Sequence, residues 1–271
     1  MRKNMTNTIK EQLTKDPILK LERAKYHINE LNGQINAYMS DHPFEFMIRD
    51  DPKANQRTYF IKTKKPIPTN FPLLIGDAIH NLRTALDILI FNMAGNKSPK
   101  PDAVQFPFCK DAVSLERTIE KRQIKFAGEN VVNAIHALKP YPGGDELLCG
   151  LHALDISDKH RLVITAVQIV EFSAVELKKL GLPFDGGGSI RFTNQSGALI
   201  TSGLPHIGGR RMITTTHKAS VQPIFQICFG EGFAFSHRPI NTELRAMTMR
   251  VQETIDLLAN EYITDKHNYP S

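Results

Sequence analysis

The sequence predicts an α+β protein, a bundle of long amphipathic helices with an antiparallel β-rich segment inserted before the C-terminal helix. Three observations carry this. Apolar residues recur at three- and four-residue steps near the start, in the middle and at the end of the chain. Between about residues 161 and 236, short runs of branched and aromatic residues are bounded by glycines. The 271 residues are 41% hydrophobic and 23% charged, ordinary values for a folded chain that buries one large core or two small ones.

The first helix is expected to start at Asp16-Pro17, with aspartate as cap and proline in the first turn. Leu21, Ala24, Ile28, Leu31, Ile35 and Tyr38 form its apolar stripe, and it should end near His42-Pro43. FEFMIRD and RTYFIKTK, on either side of Asp50-Asp51-Pro52, read as a β-hairpin with a longer loop. The proline-rich KKPIPTNFP then delivers the chain to a central helix over Phe71 to Met93. Ile75, Ile79, Leu82, Leu86, Leu89 and Met93 are its apolar stripe. Pro107 argues against a central strand in VQFPFC. Two short helices follow at 113–123 and 129–139, then one capped by Asp145 and running to about Ile156.

LVITAVQIVEF, SIRFTNQ, ALITSG, RRMITTT and PIFQICFG read as strands of an antiparallel meander. The last helix starts at Asn241 or Thr242 and buries Leu244, Met247, Val251, Ile255, Leu258 and Tyr262. The chain thus divides into a helical domain with a small hairpin (1–160), a β-rich segment (161–238) and a helix packing back on the first part (239–271).

Composition narrows the function classes. The most apolar stretch is broken by Asp77, His80, Arg83 and Asp87, which excludes a membrane span there. The N-terminus has charge without an apolar run behind it, unlike a secretory signal. Three widely spaced cysteines, Cys109, Cys149 and Cys228, fit reduced thiols in a cytoplasmic protein. A net charge of +6 favours RNA or another polyanion as partner.

The chemistry-bearing residues fall in two blocks. On the central helix, His80, Arg83 and Asp87 lie within roughly 60° of one another in projection, with Asp77 and Thr84 at the edge of the sector. They can form an acid–base set in which Asp87 fixes the tautomer of His80 and Arg83 binds phosphate. They can equally form a salt-bridged seam, with Arg83 and Asp87 paired one turn apart. Asp158-Lys159-His160-Arg161 is the second block, placed at an expected helix-to-strand junction. If the two converge, His80 and His160 would transfer protons and Asp87 and Asp158 would orient them. Arg83, Arg161 and Lys159 would then hold a phosphodiester without metal.

Other candidates carry less. Glu146, Cys149, His152 and Asp155 recur every three residues on one helix, but no CxxC or HExxH accompanies them, and no metal or cofactor is implied. PFDGGGS and PHIGGRR read as turns; His206, His217 and His237 have no ligand spacing; Arg210-Arg211 fits a surface turn. The phenylalanines of FQICFGEGFAF fit a sheet core better than a base-stacking platform.

GDAIHNLRTALD followed by SDKHR resembles an uncharacterised bacterial and phage-associated family that carries an HNLR-x3-LD helix and a later DKHR block. The resemblance spans roughly Leu19 to Val163 and implies no activity. The chain is also loosely similar to HEPN-type proteins, helical bundles that often dimerise and include toxin and defence ribonucleases. Their signature places a histidine four to six residues after an arginine. Here His80 precedes Arg83 and no histidine follows it in that window. The two functional expectations are a metal-independent ribonuclease of a bacterial defence or toxin system and a non-enzymatic binding or scaffold module with a structural polar cluster. A homodimer through the helices is possible in either case.

Overall fold

A computed structural model of the protein describes residues 2–53, 56–160, 165–171, 198–203, 215–218 and 224–268. Its α-helices are α1 (Arg2–Ser40), α2 (Asn70–Ala94), α3 (Leu115–Lys121), α4 (Glu129–Leu138), α5 (Glu146–His160) and α6 (Ile240–Asn268). The strands are β1 (Phe44–Asp51), β2 (Gln56–Thr63), β3 (Thr165–Glu171), β4 (Ala198–Gly203), β5 (Thr215–Lys218) and β6 (Ile224–Phe229). This is the expected α+β architecture, with α2 at its centre packed against α1, α5 and α6.

Every member of the α2 stripe from Ile75 to Met93 is buried, as is every member of the α6 stripe from Leu244 to Tyr262. Each large aliphatic side chain so placed contributes about 2 kcal/mol relative to exposure. Asp145 caps α5 as its sequence suggests, accepting the Leu148 amide at 2.8 Å through Oδ1. Its other oxygen takes Arg250 Nε of α6 at 2.6 Å, so the cap also fastens two helices together. Residues 104–109 form no strand, but Val104, Phe106 and Phe108 all turn inward.

Three expectations are corrected. Helix α1 does not begin at Pro17; it runs from Arg2 straight through the proline. Proline cannot donate to the carbonyl four residues back, which is that of Leu13. Asn92 of α2 replaces the missing donor, its Nδ2 reaching the Leu13 oxygen at 2.9 Å. Helix α5 does not stop at Ile156 but continues to His160, so Asp158, Lys159 and His160 form its last turn, shortly before β3 begins at Thr165. Finally, the late strands do not form a meander. Strands β4 and β5 add to the two edges of the β1–β2 hairpin in the order β4-β2-β1-β5, while β3 pairs with β6. All pairings are antiparallel. Among the described residues β3 ends at Glu171 and the next strand begins at Ala198, too far along the chain for the two to form a tight hairpin. The SIRFTNQ segment and the first part of RRMITTT lie outside the described residues, as do His206, PFDGGGS and PHIGGRR.

His27 of α1 is buried against α2, with Nδ1 3.9 Å from Asp77 Oδ2. Burial pushes its pKa below the ordinary 6.5; Asp77 opposes that shift and Arg23 adds to it. The unfolded chain therefore takes up the proton first. The stability tied to neutral His27 is complete above pH 6.5 and is lost as the pH falls from there through the folded value. His27→Leu is expected to flatten this part of the pH–stability curve, measured by urea unfolding. Asn92→Ala is expected to cost about 1 kcal/mol by the same measurement. In a Pro17→Ala background that cost should shrink, because the restored amide can reach the Leu13 carbonyl itself.

Candidate active site on the central helix

Helices α2 and α5 pack side by side, and the polar sector of α2 meets a matching one on α5. The contacts run antiparallel along the pair. Gly76 lies against Asp158, His80 against Asp155, and Arg83 against His152. On α5 these partners recur every three residues, the spacing that brings side chains onto one helical face. A Cβ at Gly76 would run into the Asp158 carboxylate, which would have to swing aside to admit it.

The two basic groups of α2 meet opposite fates. Arg83 is 7% exposed. Its Nη1 approaches Asp87 Oδ1 as an ion pair outside hydrogen-bond direction, and its Nε donates to His152 Nδ1 at 3.4 Å. A guanidinium donor at Nδ1 makes that nitrogen an acceptor, so His152 carries its proton on Nε2. The Phe108 ring lies 4.5 Å from the guanidinium carbon and stacks on His152 at 4.5 Å and 5°. Asp87 also accepts the Phe106 amide at 2.8 Å. The 104–109 segment thus closes over Arg83 like a cover, and both Arg83 and Asp87 are held in structural contacts.

His80 instead leaves 57% of its side chain in solvent while its Nδ1 sits 3.3 Å from Oδ1 of Asp155, whose side chain is 4% exposed. A buried carboxylate facing a ring nitrogen holds the N–H there and leaves the lone pair on the other nitrogen. That nitrogen, Nε2, lies 3.5 Å from Thr84 Oγ1, whose hydroxyl can donate to it. The carboxylate that orients His80 is therefore Asp155, not Asp87, which Arg83 and the Phe106 amide engage. Asp155 and His152 stood in the three-residue repeat of α5; their role is set by the crossing with α2, which spacing alone does not reveal.

The second sequence block is only partly placed. Asp158 abuts Gly76 at the α2 contact. Lys159 and His160 are in α5, but their side chains, and all of Arg161, lie outside the described residues, as do Arg210 and Arg211. The α5 repeat does not gather on a metal. Glu146 pairs with Arg238 Nη1 at 2.6 Å, while His152 and Asp155 face α2. Burial, with Asp145 and Cys109 adding, pushes the Cys149 thiol up to about 11, so it stays protonated at neutral pH. No helix among the described residues is long and apolar enough to cross a membrane.

No family model, curated protein or solved structure matches the chain.

Truncating the buried cation should be costly. Arg83→Met keeps the stem but strands Asp87 and His152, and is expected to lower stability by about 2–4 kcal/mol. The Arg83→Met/Asp87→Leu double variant should recover part of that loss, read from a denaturation cycle.

Proposed function

We propose that the α2–α5 seam is a metal-independent acid–base site acting on a phosphodiester of RNA, with His80 as the proton carrier. The observation that carries this reading is the pairing of a solvent-facing imidazole with a buried carboxylate, Asp155, that sets its tautomer. The Nε2 lone pair, once a substrate hydroxyl replaces Thr84 Oγ1 as its donor, suits abstraction of a ribose 2′-hydroxyl proton. The resulting oxyanion attacks phosphorus, the bond to the 5′-oxygen breaks, and that leaving oxygen takes the proton back from His80. Lys20, whose Nζ reaches Asn81 Oδ1 at 3.4 Å, supplies a cation beside the next residue of α2. The net charge of +6 supports attraction of a polyanion as a whole. In this reading Arg83 does not bind phosphate; it shapes the seam that places Asp155.

The second reading is a binding or scaffold module whose polar cluster is structural, and the burial of Arg83 between Asp87, His152 and Phe108 favours it. Cleavage of labelled RNA in EDTA separates the two. His80→Ala is expected to lower the rate by about 10²–10⁴-fold with an unchanged melting temperature. Asp155→Asn should slow it and shift its pH profile. Absence of cleavage by wild type, or equal cleavage by a folded His80→Ala variant, rejects the acid–base assignment.

A further inference from the structure

The positive charge of the chain is concentrated by its fold. Lys97, Lys100, Arg117, Lys121, Arg122 and Lys125 stand in two short stretches, 97–102 and 117–126, whose only carboxylates are Asp102 and Glu120. Six cations against two carboxylates leave +4 there, out of +6 for the whole chain. Neither stretch is a long basic run, but the structure joins them. Past the end of α2 the chain makes one further turn, Gly95–Lys97, and reaches Ser98. Ser98 Oγ donates to Gln123 Oε1 at 3.4 Å and accepts the Lys100 amide at 3.0 Å. Gln123 follows Lys121 and Arg122 at the end of α3 and turns the chain with a φ of 60°. Its carbonyl accepts the Phe126 amide at 3.2 Å, which draws Lys125 into the same turn.

These cations are left uncompensated. Lys97, Lys100, Arg117, Lys121 and Lys125 are exposed, and Arg122 is half-buried. None of the six forms an ion pair with a described residue. Two carboxylates of adjoining elements are engaged elsewhere: Glu116 holds His136 at 3.1 Å, and Asp265 of α6 accepts the Asn130 amide at 2.9 Å. Lys97 and Lys125 rest on the rings of Tyr262 and Phe126, at 4.9 Å and 5.5 Å, which orients them without neutralising them. Like charges gathered at one corner repel, and a polyanion relieves that repulsion while releasing its own counterions. We infer that this corner of the bundle binds the phosphate backbone of an RNA strand. Lysines grip phosphate without reading sequence, so the contact anchors and does not select. The choice of RNA as the polyanion rests on the acid–base reading of His80. The corner begins beyond Ala94, about 21 Å along α2 from His80, so it is a contact separate from the reacting phosphate.

Fluorescence anisotropy with a labelled 2′-O-methyl RNA of about 20 nucleotides tests the inference; lacking a 2′-hydroxyl, the strand is not cleaved and binding is read apart from catalysis. Lys97→Gln/Lys100→Gln/Lys121→Gln/Lys125→Gln is expected to weaken binding at least about tenfold near 0.1 M salt. It should also flatten the plot of log Kd against log salt by about 0.7 per lysine lost. Arginine at the same four positions should bind as wild type does, which separates lost charge from lost folding. Lys25→Gln/Lys53→Gln/Lys62→Gln/Lys64→Gln removes the same charge from α1 and the hairpin and should bind far better than the first variant. Equal losses in the two glutamine variants, or no saturable binding by wild type, overturn the inference. So does capture by phosphatidylserine vesicles that depends on the four lysines while RNA is not bound. His80→Ala should bind the strand as wild type does. Binding that depends on the four lysines without cleavage of natural RNA rejects the acid–base reading alone; cleavage with binding indifferent to those lysines rejects this inference alone.

Discussion

A guanidinium buried in the middle of the central helix is the constraint on which the surrounding structure depends. Arg83 lies one residue from Leu82 in the core stripe, where an unmatched charge would be prohibitive. It is tolerated because Asp87 shares its own helix, His152 comes from α5 and Phe108 comes from a strandless segment between them. The position of α5 and the path of residues 104–109 both follow from that requirement. His80, one turn earlier, inherits a neighbouring helix already in place, and with it the Asp155 carboxylate.

Much of the fold was legible because helical periodicity is a local signal. The stripes of α1, α2 and α6 predicted which residues are buried, and Asp145 announced α5 from its own side-chain chemistry. What escaped was decided by residues remote in sequence. Pro17 reads as a helix start on every local rule, yet α1 continues through it because Asn92, on another helix, caps the carbonyl that proline leaves bare. Likewise the strands of the β-rich segment had the right composition, but their partners lay in the N-terminal hairpin or across a long connection.

The polar face of α2 was equally plain, and its ambiguity between catalysis and packing was real in the molecule. Arg83 and Asp87 took the packing role, while His80, on the same face, kept more than half of its side chain exposed. The difference is set by one turn of helix relative to the α5 crossing. No pattern within α2 encodes it. The carboxylate that matters for His80 stood in the three-residue repeat of α5, three residues before the Asp158-Lys159-His160-Arg161 run that attracts attention by charge.

The four-stranded sheet has a consequence for the order of events in folding. Its inner hairpin, β1–β2, is made early in synthesis, but both edges are covered by strands from far down the chain, as in the pairing of Tyr59 with Ile200 and of Ile48 with His217. Contacts of such long range are slow to form because a large loop must close first. Until they do, two rows of open backbone amides and carbonyls flank the hairpin, a template for association with other chains. The nascent protein is thus most vulnerable to aggregation between completion of α2 and emergence of β5, an interval in which its helical core can already be assembling.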